Sequence, residues 1–304
     1  MANRKKRLLF SVAALLLAAG CKTVATNAVA DAVSESGGTY ASDGDPELVK
    51  AAVPFGLKTM EGLLVEVPTH DGLLRGLASG FTQYSYAFVL QDADLAEWSG
   101  RAAEAKVARD RARKLFLRAR DYGLRGLEQK YPGLPAKLKA ARDLEPVLAV
   151  VRKEDVGLLY WTAAAWALAV STGKGDMQLV AELPASVAMM RRGLALDESY
   201  DHGAFHEFFV TWDGSRSPAE GGGPARAKEH LDRALALSDG EKLGPLVSYA
   251  ETVLVQTQDR GEFVRVLEQV LAADVNAAPQ YRLANVLAQR RARALLEHAD
   301  DFFA

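Results

Sequence analysis

An all-α fold built of antiparallel helix pairs is what the sequence predicts from residue 46 onward, on three observations. Ala, Leu, Arg and Glu dominate, and apolar residues recur at three- and four-residue spacing, the period of one helix face. Short Gly, Pro or Asp breaks separate the segments that carry this pattern. No run of alternating β-branched residues asks for a strand. The spacing predicts helices near 47–66, 71–92, 94–130, 135–151, 154–172, 176–196, 200–212, 224–238, 243–257, 260–273 and 278–303. A break near Gly123 is expected inside the long third one.

The chain opens on a cationic cluster, Arg4, Lys5, Lys6 and Arg7, followed by an apolar run from Leu8 to Ala19. A dozen or so apolar residues are too few for a permanent spanning helix, which needs about 20. They match the central region of a secretory signal with small residues at its cleavage end. Leu17-Ala18-Ala19-Gly20-Cys21 resembles a bacterial lipoprotein signal, so residues 1–20 are expected to be removed and Cys21 to become the lipidated first residue. Ala18 stands three places before the cysteine, where Leu is more usual. The alternative is an ordinary signal beside a chance cysteine, although Cys21 is the only cysteine in the chain.

Acyl chains on Cys21 would bury CH₂ groups at about 0.8 kcal/mol each, so attachment to the membrane is firm. The mature chain then holds no thiol, hence no disulfide, no thiolate nucleophile and no Cys-ligated metal. Loss of the four basic residues takes the formal net charge from −2 to −6, which argues against nucleic acid as a partner. Lys22 after the cysteine, rather than Asp, resembles lipoproteins passed on to the outer membrane, and the expected location is that membrane, facing the periplasm. Residues 21–45 are rich in Ser, Gly, Thr, Ala and Asp and read as a flexible tether from Cys21. Residues 46–304 form the helical body, long enough for one large domain or a repeat array.

A weak repeat runs through the body. Ser186, Met190, Gly193 and Glu198 share a spacing with Ala227, Leu231, Ala234 and Asp239, and with Phe263, Leu267, Val270 and Val275. It is the second-helix spacing of a tetratricopeptide repeat, in which small residues let paired helices approach. The intervals, Gly193 to Ala234 and Ala234 to Val270, run longer than the usual period of about 34 residues, so the repeats are degenerate. The alternative is an ordinary helical bundle.

Four segments carry a family resemblance. Leu159-Tyr160-Trp161-Thr162-Ala163-Ala164-Ala165-Trp166 resembles the aromatic–alanine helix of the T-component (TatT) family of TRAP transporter-associated lipoproteins. Gly203-Ala204-Phe205-His206-Glu207-Phe208, followed by Gly221 to Leu231, is similar to its next signature. Leu283 to Leu296 resembles its closing helix, and Gly80 to Phe88, with Tyr84, fits the same family. The resemblance implies an all-helical periplasmic lipoprotein with cryptic tetratricopeptide repeats beside a tripartite ATP-independent uptake system. It further implies association with the substrate-binding P component, a homo-oligomer and a ligand-accessible channel.

The residues themselves are compatible with that implication. Alanines at 163, 164, 165, 167 and 169 let helices approach, leaving Tyr160, Trp161 and Trp166 to supply the contact area. These aromatics either seal a core or line a cleft for a small organic ligand. His202 and His206 at i and i+4 could share a helix face, but the Glu does not follow the first His and no third ligand is evident, so no metal is expected. A structural or ligand-facing His206–Glu207 pair is preferred. The Gly221-Gly222-Gly223-Pro224 stretch lacks the Gly-Lys-Ser/Thr ending of a phosphate loop and reads as a turn before a helix. The basic run from Arg109 to Arg125 reads as a solvated face, or else as a contact for an acidic partner or lipid.

No Ser–His–acid motif, metal set or distinct carboxylate pair argues for an enzyme, and no cofactor is expected. The leading reading is a non-enzymatic transport accessory. The alternative is a general scaffold lipoprotein for envelope assembly that holds a peptide on the concave face of its helix pairs.

Overall fold

The computed structural model describes residues 26–34 and 37–303, and these form helices and connecting turns with no strand among them. Helix α1 covers 26–34, and α2 (Gly37–Ala41) leads into α3 (Pro46–Glu66). Asp45 caps α3 by accepting from the amides of Glu47 and Leu48 at 3.0 and 3.1 Å, while Pro46 fills the first helical position, where a missing N–H costs nothing. The segment that composition assigns to a tether is thus largely folded where it is described. Ala30 lies in the core and Asp31 meets His70 Nε2 at 3.2 Å, so small apolar residues here find a helix face to bury against. The signal peptide and Cys21 lie outside the described residues.

A continuous helix follows: α4 (Asp71–Tyr84), a π-turn (Ser85–Leu90) and α5 (Gln91–Trp98). The chain breaks at Ser99–Arg101, where Gly100 takes a positive φ of 75°, and resumes as α6 (Ala102–Lys130). The break expected at Gly123 is not there. A side chain at that position would meet Thr162 Oγ1 at 2.1 Å, so this glycine serves close helix packing and not a turn. Tyr131, which sequence reading treats as a plain helix end, donates from its hydroxyl to Asp155 at 2.5 Å and accepts from the Arg152 amide at 3.0 Å.

Short helices α7 (Leu134–Ala140) and α8 (Glu145–Leu148) lead to α9 (Val156–Thr172), the aromatic–alanine helix. After α10 (Met177–Val180) come α11 (Leu183–Leu196), α12 (Ala204–Gly214) and α13 (Pro224–Leu237). The last part is α14 (Gly244–Tyr249) running into a second π-turn (Ala250–Leu254), α15 (Arg260–Ala272), α16 (Arg282–Glu297) and α17 (Ala299–Phe302).

The small and large positions of the weak repeat behave as tetratricopeptide positions should. Ser186, Met190 and Gly193, Ala227, Leu231 and Ala234, and Phe263, Leu267 and Val270 are all buried. A side chain on Gly193 would strike the Phe205 ring at 2.1 Å, so α11 and α12 approach as closely as glycine allows.

Two apolar cores result. The larger joins α3, α4, α6, α9 and α11 around Phe116, Leu159 and Trp166, and the smaller joins α14, α15 and α16 around Phe263 and Leu267. The C-terminal helices return to the start of the chain. Arg282 donates to the Ser42 carbonyl at 3.0 Å and Arg290 meets Glu47 at 2.7 Å, which closes the array on itself.

Candidate functional site

Charged side chains gather with aromatic ones at the edges of the two cores, where Tyr160 packs on the larger and Trp98 on the smaller. Arg291 on α16 binds Glu251 of the second π-turn at 2.5 Å and Asp94 on α5 at 3.0 Å, and lies over Trp98 with 4.5 Å to the ring centroid. Asp94 also pairs with Arg109 on α6 at 2.9 Å. On the facing side Lys242 binds Glu207 of α12 at 2.8 Å and the Asp201 carbonyl at 2.6 Å.

Tyr86, in the first π-turn, joins the two groups. It keeps 49% of its surface accessible, yet burial pushes its hydroxyl up to about 12, with Glu251, Asp94 and Glu207 adding to the rise and Arg291 opposing it. Tyr86 is thus open to solvent on one side and has charged neighbours on the other. Tyr160 on α9 is half-buried, and its hydroxyl is raised well above the ordinary value by burial first, then by Glu207, Asp201, Tyr200 and Tyr86. Burial also raises the Glu207 carboxyl, which Lys242 draws back toward the ionised form. Tyrosine rings and two ion-pair groups thus share a polar cleft between α5, α9, α12, α16 and both π-turns, open to solvent at Tyr86.

An aromatic layer closes one side of the cleft. Tyr160 packs on Phe205 and Tyr200 at 5.2 and 5.5 Å between centroids, and edge-on to Trp161 at 5.0 Å. Beyond it lies a hollow of about 260 Å³ lined by Trp161, Tyr200, Arg75 and Gly157. Tyr200 stands at the start of a left-handed run, Asp201, His202 and Gly203 at φ 44°, 53° and 96°. Two non-glycine residues in that region cost about 1–3 kcal/mol each, and such strain gathers at functional sites.

The sequence-predicted residues divide. Tyr160, Trp161 and Glu207 reach the cleft or its aromatic wall. Trp166 does not: it is fully buried, donates from Nε1 to Glu182 at 2.9 Å, and Arg120 lies 5.5 Å from its ring. Tyr84 is also a core residue; the nearby Tyr86 takes the cleft position, because residues two apart on a helix point to nearly opposite sides.

His206 and Glu207 do not pair, since neighbours on a helix diverge by about 100°. His206 is buried and meets Glu198 through Nε2 at 3.1 Å and His230 Nδ1 through its own Nδ1 at 2.8 Å. His230 in turn lies 3.5 Å from the buried carboxylate of Asp213. Burial lowers both imidazoles below the ordinary value, while two hydrogen bonds from Arg233 are foremost in holding Glu198 down to about 2. His202 is not on a helix face with His206, because its left-handed backbone precedes the first turn of α12.

The basic run of α6 is mostly spent inside the molecule. Arg109 goes to Asp94 and Glu97, Arg118 to Glu61, Arg120 to Glu182, and Arg125 to the Pro68 carbonyl. Tyr86, Lys242, Glu251 and Arg291 are cleft residues that sequence reading missed. Their partners are remote in the chain, and no local spacing announces them.

A family model described as TRAP transporter T-component (TAtT) matches residues 42–303, nearly all of the folded body. The chain belongs to this T-component family. It is also similar to an uncharacterized protein of Treponema pallidum (strain Nichols), 30% identical over 269 residues that cover 87% of this chain and 82% of that protein. Membership associates the chain with a transport system, and no helix among its described residues is long and apolar enough to cross a membrane.

Proposed function

We propose that this protein is a non-enzymatic accessory of a TRAP-type solute uptake system. It is anchored through lipidated Cys21 in the outer membrane, faces the periplasm, and works as a homo-oligomer beside the substrate-binding P component. The observation that carries this reading is the family match over the whole helical body. The cleft supports a second part of it, the holding of a small organic ligand. Tyr86 and Tyr160 offer neutral hydroxyls and ring faces, while Lys242 and Arg291 on one hand and Glu207 and Glu251 on the other can meet polar ends of either sign. The cleft presents contacts, and no nucleophile–base pair is assigned to it. Nucleic acid has no place in this reading, given the acidic mature chain.

Pull-down and cross-linking with the co-encoded substrate-binding protein test the reading. Capture in the presence of solute is the expected result, and no capture with or without solute would overturn it. Native mass spectrometry of gently purified protein tests the ligand. A bound small molecule is expected on the parent chain and not on Tyr86→Ala, and an empty parent chain would count against a ligand role.

A further inference from the structure

Helix α1 enters the body at one identifiable end. A side chain on Gly72 would meet Ser34 Oγ at 2.8 Å, and one on Gly76 would meet Met60 Sδ at 3.4 Å and Ser34 Cβ at 3.7 Å. Asp31 meets His70. Read backwards, α1 therefore runs from the flank of α3 and α4 towards the turn that joins them, and residue 26 lies at that end of the bundle.

The same end collects other elements. Arg125 and Gln129 on α6 donate to the Pro68 carbonyl in the α3–α4 turn, and Lys130 meets Asp71 at 3.2 Å and Asp155 at 2.7 Å. Tyr131 holds the 150–155 loop there through Asp155 and the Arg152 amide. Three exposed valines stand on these elements: Val29 at 52%, Val65 at 77% and Val150 at 55% accessible.

The chain length between anchor and body then decides the orientation. From Cys21 to residue 26 the backbone reaches at most about 18 Å even when fully extended. A body of this size has a radius of gyration of about 18 Å and is thus about 45 Å across. A leash shorter than half the body's width cannot let every face turn to the membrane. We propose that the end formed by α1, the α3–α4 turn and the 150–155 loop rests on the bilayer surface, with Val29, Val65 and Val150 towards the lipid headgroups. This inference rests on the lipidation of Cys21. It leaves the opposite end, where Met177 and Val107 are exposed, free for a protein partner.

Because Cys21 is the only cysteine, its acylation leaves any introduced thiol unique. The test uses the full-length lipidated protein in vesicles of phosphatidylethanolamine and phosphatidylglycerol that contain headgroup-nitroxide lipid. Val65→Cys, Val150→Cys, Val107→Cys and Met177→Cys are each labelled with a fluorophore. Quenching at 65 and 150 several-fold stronger than at 107 and 177 is expected. Equal quenching at all four sites in protein that floats with the vesicles overturns the orientation alone, as does quenching of the reverse order or label shielding at 65 and 150 without nitroxide quenching, which marks a protein partner there. Protein that fails to float overturns the lipid anchor and the orientation together. A long Gly/Ser insert after Lys22 should weaken the quenching at 65 and 150 without loss of flotation, and unchanged quenching would refute the leash as its cause.

Discussion

Helix α9 has two sides that solve opposite problems. On the side facing α6, Thr162 and Leu158 lie over Gly123 and Gly126, and Trp166 is enclosed, so the seam is dry and closely packed. On the other side Tyr160 faces Glu207 of α12, Asp201 and the Tyr86 ring of the first π-turn, and the seam is polar. Small residues on both partners close the first seam. Charges that must keep some hydration hold the second one open, since burying them fully would cost several kcal/mol each. One helix therefore serves as core and as cleft wall, and rotation about its axis separates the two roles.

That contrast can be broken most severely from the dry side. Trp166→Ala should lower stability by about 4 kcal/mol, because a cavity forms and Glu182 loses its indole donor. Urea denaturation checks this, and a loss below about 1 kcal/mol would mean the seam is not close-packed. Gly123→Ala should cost about 2 kcal/mol, since its new methyl meets Thr162 and both helices must separate.

The wet side should respond less to a change of the same kind. Lys242→Met leaves Glu207 and Asp201 without their cation, and a cost of about 1.5 kcal/mol is expected, below that of a broken dry pair because the cleft admits water. The histidine chain adds a pH dependence. His206 and His230 are held below the ordinary imidazole value by burial, so the unfolded chain binds protons more readily than the folded one. Stability is therefore level above about pH 6.5 and declines as the pH falls below it. Glu198, held to about 2, loses its contribution only at lower pH, as it passes from the ordinary carboxylate range towards that value. Urea midpoints between about pH 8 and pH 5.5 isolate the imidazoles, and a flat profile would refute the assignment. Tyr86→Phe should change stability by no more than about 0.5 kcal/mol while reducing ligand occupancy in native mass spectra. That split sharpens the distinction between packing and cleft positions.

The helices were legible because apolar spacing and Gly or Pro breaks are local signals, and their ends agree with the caps at Asp45 and Asp259. Gly123 misled because glycine marks a turn and a close helix approach with the same letter; only the position of Thr162 distinguishes them. The first segment misled because its small residues lack the bulk to announce burial, yet Ala30 finds a groove that accepts it. Tyr160 and Trp161 stand out in the sequence as aromatics among alanines, and the structure places them together against Tyr200 and Phe205. Arg291, Glu251 and Asp94 do not stand out, because their meeting depends on the closure of the array. The π-turns left no trace in apolar periodicity either, although Tyr86 and Glu251 both sit on them.

Each π-turn accommodates about one residue more than a regular helix would need for the same rise. Deleting a residue between Ser85 and Leu90 would restore ordinary hydrogen bonding with nearly the same rise and turn, so the helix downstream would keep its face. Asp94 would stay beside Arg291 while the Tyr86 ring would lose its place. The surplus residue widens a single turn, and a locally smoother helix would withdraw the tyrosine and leave the ion pairs around it standing.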